Sequence, residues 1–125
     1  MQTSCFKNYK EENGIAICLY PPSTWTGKIY KKLAPTERLF FDIKRQNITR
    51  EEYIYRYNTE ILHKLDPKEV YEELKDNVLL CWEPPDKFCH RQLVADWIYK
   101  NLNIRISEYS RQDSFKNSTK IKKLF

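Results

Sequence analysis

The chain has 125 residues, 41% of them hydrophobic and 31% charged, which suits one domain built on a single core. No apolar run approaches the ~18 residues of a membrane span, and the opening MQTSCFKNYKEENG lacks a signal peptide's apolar segment. A cytosolic protein with no membrane partner is therefore expected, its four cysteines (Cys5, Cys18, Cys81 and Cys89) kept as thiols.

Met1 to Phe6 and Ile15 to Tyr20 (IAICLY) read as strands, being short and apolar and partly β-branched. Pro21 and Pro22 end the second, because proline has no amide to give a ladder. The segment PPSTWTGKIYKKLA has the punctuation of a binding loop or lid, with Trp25 as an exposed contact. Pro35 with Thr36 opens a helix over TERLFFDIKR, in which Leu39, Phe40 and Ile43 share a face. Thr49 and Glu52 form a capping-box pattern, and Tyr53, Ile54, Tyr57, Ile61 and Leu65 then recur at helical spacing. Asp66 and Pro67 start a third helix by the same logic of cap and first-turn proline, and Asn77 stops it.

Val78 to Trp82 (VLLCW) is the unbroken apolar run of a strand covered on both faces. After a loop with Pro84 and Pro85, a helix follows in which Leu93, Val94, Trp97, Ile98 and Leu102 line one side. Asn103 ends it in a left-handed turn. Arg105 to Tyr109 alternates as a last strand. Strands separated by helices predict a three-layer, Rossmann-like α/β sandwich with a small, mostly parallel central sheet, occupying residues 1–109. Residues 110–125 form a basic tail. They carry five basic residues against Asp113, a net +4 of the chain's +5, so the rest of the chain is nearly neutral. A solvated tail explains this, and a polybasic contact with nucleic acid or lipid is the alternative.

The chemistry concentrates in LLCWEPPDKFCHRQLVADWI. Cys81 and Glu83 end a strand, and Cys89, His90 and Arg91 begin a helix, the place where parallel sheets bind ligands. Unpaired amides at a helix start favour anions and lower the pKa of a thiol. On this reading Cys89 is the nucleophile or redox thiol, His90 a proton carrier and Cys81 a second thiol of the site. Arg91 is an anion clamp, Glu83 an orienting carboxylate, and Ser4 adds a hydroxyl from the first strand. Each has a plainer alternative: Cys81 as a small buried hydrophobe, Arg91 as a fastener to Glu83, His90 as a local cap. Cys18 reads as core, and His63 as surface or core edge.

No metal is expected, because the step from Cys81 to Cys89 exceeds the two to four residues between ligands of common zinc sites. With glycine only at 14 and 27, dinucleotide and Walker loops are absent. The glycine-free stretch from Cys81 to Arg91 is also a poor phosphatase cradle. A cofactor is not identifiable. The expected partner is a small anionic or nucleotide-like ligand. The alternative is nucleic acid, held by the tail and by Trp25 and Tyr30 beside Lys28, Lys31 and Lys32.

These motifs resemble a known family. TSCF, PPSTWTGKIYKKLAPT, EEYIYRYNTEILHKLDP and above all the Cys81-x-Glu83 strand end followed by Cys89-His90-Arg91 are similar to the bacterial and phage domain of unknown function 488, from Thr3 to about Tyr109. The resemblance implies an α/β fold with a site for a small ligand and supplies no activity. Many members have a longer, helix-bearing segment where this chain has only Phe6 to Gly14, and the basic tail is particular to this chain.

Overall fold

The computed structural model describes residues 1–109, so the basic tail lies outside the described residues. A five-stranded, wholly parallel sheet runs in the order β3-β2-β4-β1-β5. Its strands are β1 (Gln2–Cys5), β2 (Gly14–Ala16), β3 (Lys28–Ile29), β4 (Val78–Cys81) and β5 (Ser107–Glu108). The helices are α1 (Glu37–Lys44), α2 (Arg50–Glu60), α3 (Pro67–Leu74) and α4 (His90–Leu102). This is the small α/β sandwich expected of alternating strands and helices. Among the described residues no helix is long and apolar enough to cross a membrane.

The apolar run VLLC becomes β4, the central strand, because only there does every side chain find cover. Its register sets Cys81 beside Cys5 of β1, and Leu80 beside Ala16 of β2. Alternation then sends Leu79 and Cys81 to one face and Val78 and Leu80 to the other. The first face carries the main core, where Leu39, Tyr57, Val70, Leu74, Val94 and Ile98 arrive from all four helices. The second face is closed by Phe6, Tyr9, Trp25 and Tyr109 from loops and the chain beyond β5. The connections from β1 to β2 and from β2 to β3 carry no helix, which is why side chains of irregular backbone close that face.

The caps place the helix starts. Thr36 accepts from the Leu39 amide, so Pro35 stands just outside α1 rather than in its first turn. Thr49 and Glu52 form the expected capping box of α2. Asp66 accepts from the Lys68 amide with Pro67 at the first helical position of α3, and Asn103 ends α4 at φ 58°. Several boundaries differ from expectation, among them the last strand, which covers only Ser107–Glu108 of the expected Arg105 to Tyr109. Helix α2 stops at Glu60 and tightens into a 3-10 turn at Leu62–Lys64, short of Leu65. The second strand ends at Ala16, with only the Ile17 amide still bonded across to Leu80, because Leu19 and Tyr20 turn away toward α1. The presumed lid also contains β3, which pairs with β2 as a sheet edge.

Candidate active site at the carboxyl edge of the sheet

Cys81 closes β4, and His90 opens α4 directly after Cys89 at its N-cap. The turn between them is stapled by Gln92, whose Oε1 accepts from the Cys89 amide at 3.4 Å while its Nε2 donates to the Lys87 carbonyl at 2.9 Å. The fold therefore brings the three chemical groups together. One ligating atom each from Cys81, Cys89 and His90 lies within 4.8 Å of the others, and all three residues are buried.

His90 is fixed by its far nitrogen. Nε2 lies 2.8 Å from the Ile17 carbonyl, an acceptor only, so Nε2 carries the proton and donates. In the neutral ring Nδ1 is then the free acceptor, 3.8 Å from the sulfur of Cys89. Tyr57 packs on the ring at 5.4 Å and holds its own place by donating to the Leu33 carbonyl at 2.6 Å.

The two thiols are driven apart in acidity. The Cys81 thiol donates to Cys89, and His90 and the backbone amide of Arg91 add support, which together hold the Cys89 thiol well below the ordinary range against the opposing effect of burial. Burial, and then the neighbouring Cys89 charge, push Cys81 up, so it remains the protonated partner. Burial also raises Cys18, to about 11, and all four cysteines are free.

These groups form the buried end of a cavity of about 300 Å³. Its walls are aromatic, with Phe40, Tyr53 and Phe88 inside and Tyr20 and Trp82 toward solvent. Tyr53 stands parallel to Tyr57 at 6.1 Å and edge-on to Phe88 at 5.7 Å. The Trp82 indole nitrogen donates to the Tyr20 carbonyl at 2.7 Å, tying the two outer aromatics together. Lys44, Gln46 and Glu83 are the polar lining.

The remaining sequence-derived residues are divided. Glu83 lines the cavity, but Arg91, Ser4 and Trp25 do not. Arg91 is wholly buried and paired with Glu108 of β5, not Glu83: Nε and Nη2 each reach a separate carboxylate oxygen at 3.0 Å. Thr3 donates to the same carboxylate at 2.7 Å. Nη1 of Arg91 is buried with no hydrogen-bond partner among the described residues. Ser4 donates to the Tyr109 carbonyl at 2.9 Å, which fastens β1 to the chain beyond β5. Trp25 is half-buried and edge-on to Phe6 at 5.2 Å, its indole nitrogen donating to the Lys28 carbonyl. Tyr30 donates to Glu73 at 2.7 Å, so both aromatics of the presumed binding loop serve packing. His63 is exposed on the 3-10 turn.

Two thiols and an imidazole suit a thiophilic cation in type, but not in aim. The Cys81 sulfur is almost equidistant from the two ring nitrogens, 3.8 Å from Nδ1 and 3.6 Å from Nε2, so it lies beside the ring and off the Nδ1 lone-pair axis. With Nε2 engaged by Ile17, a zinc ion at the usual ~2.1 Å from nitrogen and ~2.3 Å from sulfur would require the ring to turn. As it stands, the arrangement is two cysteine sulfurs with an imidazole beside them.

Phe40, Tyr53, Phe88, Trp82 and Cys18 were missed by sequence reasoning as parts of the site. Tyr53 and Tyr57, one helical turn apart, carry the signal that could have found them, because two hydroxylated rings on a core-facing stripe call for polar surroundings.

The chain matches, over residues 4–102, the family described as DUF488-N3a, the Active DUF488-N3 subclade, and belongs to the DUF488 family. Neither the curated proteins nor the solved structures gave a match.

Proposed function

We propose that this DUF488 protein is a cytosolic, cysteine-dependent enzyme that holds a small anionic or nucleotide-like ligand in the aromatic cavity and acts on it through Cys89. One observation carries the reading. The sulfur of Cys89, at a helix start and 3.8 Å from the free nitrogen of a fixed histidine, stands at the buried end of a cavity open to solvent, and its neighbours lower its pKa. The matched subclade is described as active.

The Cys89 thiolate bonds to an electrophilic carbon of the ligand, and the bond from that carbon to its leaving group breaks, the leaving group departing with the electron pair. Water then gives a proton to Nδ1 of His90 and its oxygen to the carbon, which cleaves the sulfur–carbon bond and restores the thiolate. The proton on Nδ1 passes to the leaving group. Cys81 supports the thiolate as a hydrogen-bond donor. Arg91, anchored by Glu108, fixes the start of α4 and sets a positive charge behind both sulfurs.

Small chloroacetamide probes, read by intact mass and peptide mapping, test this. One adduct on Cys89, absent from Cys89→Ser, is expected. Adducts spread over Cys5 and Cys18, or unchanged in Cys89→Ser, would remove the nucleophile.

A further inference from the structure

The mouth of the cavity is bordered by cations that the chemistry at its buried end does not use. Lys44 sits over the Phe40 ring at 5.7 Å, Arg45 over Phe41 at 5.1 Å, and Arg50 over Phe88 at 5.0 Å. Phe40 and Phe88 line the cavity, and Phe41 packs against Phe40 at 5.2 Å. All three cations are exposed, and none makes an ion pair among the described residues. The nearby Asp42 is taken by Arg56 at 2.7 Å. Three large aromatics around the same opening also remain exposed: Trp82 at 55%, Tyr20 at 46% and Phe41 at 37%.

Aromatic faces lining a cavity, with cations that make no ion pair among the described residues laid over Phe40, Phe88 and the adjoining Phe41, form the combination by which proteins take up a base together with its phosphate. A purely apolar ligand would leave the cations without a purpose. A simple anion would leave the aromatic walls without one. The guanidinium that the sequence offered for an anion, Arg91, is buried against Glu108 and does not line the cavity.

We infer that the ligand is a nucleobase bearing a phosphate, with the ring between the aromatic walls and the phosphate on Lys44, Arg45 and Arg50. Glu83, which lines the cavity and makes no ion pair among the described residues, accepts from the amino or imino edge of the base. This rests on the cavity being the ligand site, and it moves the anion contact from the helix start to the connection between α1 and α2. A free nucleotide and a nucleotide within a single strand present the same chemistry.

Calorimetric titration of the Cys89→Ser protein, which cannot turn over, separates the two sources and the two proposals. The probes are the four common nucleosides, their 5′-monophosphates, and a short single-stranded oligonucleotide. Monophosphates should bind more tightly than nucleosides, and Arg45→Gln with Arg50→Gln should remove about tenfold of the monophosphate affinity while leaving nucleosides unaffected. Binding by the oligonucleotide alone, weakened in the same way, supports the inference with a polymer as the source. Equal affinity for nucleosides and monophosphates, or affinity unchanged in the double variant, would overturn it. Absence of binding by every probe, with Cys89 of the native chain still alkylated at low pH, would overturn it and leave the thiolate reading standing.

Discussion

The pair between Arg91 and Glu108 permits a quantitative expectation. Arg91 is 0% exposed, and its Nε and Nη2 have only the Glu108 carboxylate as partner. Glu108→Ala orphans both of those donors and the Thr3 hydroxyl, and leaves a cation buried without compensation. Breaking a buried pair from one side costs ~3–5 kcal/mol. The Glu108 side chain is itself 27% exposed, so water can enter the vacated space, which places the cost at about 3 kcal/mol. With a slope of ~1–3 kcal/mol per molar urea, the unfolding midpoint should fall by roughly 1–3 M, read by far-ultraviolet circular dichroism. Since the cost lies in the orphaned charge, Arg91→Met combined with Glu108→Leu should recover most of the loss. A single variant costing under about 1 kcal/mol, as an exposed pair would, refutes the reasoning. A double variant as unstable as the single refutes it equally.

The depressed Cys89 thiol makes stability depend on pH. An unfolded thiol titrates near ~8.5, so the folded state carries fewer protons below that value, and the stabilising contribution is complete above it. The contribution is lost as pH falls through the folded pKa, with a slope of at most ~1.4 kcal/mol per pH unit. Cys81, raised by burial, is protonated in both states over this window and adds nothing. Urea midpoints between about pH 5.5 and 8 should therefore rise for the native chain relative to Cys89→Ser, and parallel profiles would contradict the lowered Cys89 pKa. Tyr57→Phe removes the donor to the buried Leu33 carbonyl and should cost ~1–2 kcal/mol in the same assay. A cost near zero there would mean that the carbonyl finds another donor.

The local signals in the sequence placed the helix starts well, because Thr36, Thr49, Asp66 and Asn103 act through bonds to their own neighbours. The central strand was equally plain, since VLLC can be satisfied only inside a sheet. That Cys81, Cys89 and His90 lie together was legible because a strand end and the next helix start are necessarily close. The partners of Arg91 and Ser4 were not legible. Both depend on β5 and the chain beyond it lying beside β1, a pairing between segments about a hundred residues apart that no local pattern encodes. Trp25 looked exposed for a similar reason, because the face it covers is closed by loop side chains whose docking follows only from the full topology. The cavity walls were hidden in a different way. Phe40 and Tyr53 obey helical periodicity as core residues do, and only the packing of α1 and α2 over the sheet edge turns them toward a ligand.

The central claim is that Cys89 is held as a thiolate. Iodoacetamide labelling of the folded chain across a pH series, resolved cysteine by cysteine with mass spectrometry, measures this directly. The account predicts that Cys89 reacts well below the free-thiol value of about 8.5, while Cys81 and Cys18 lag behind it. If Cys89 becomes reactive only near that value, together with the other cysteines, the turn holds an ordinary thiol and the catalytic reading fails.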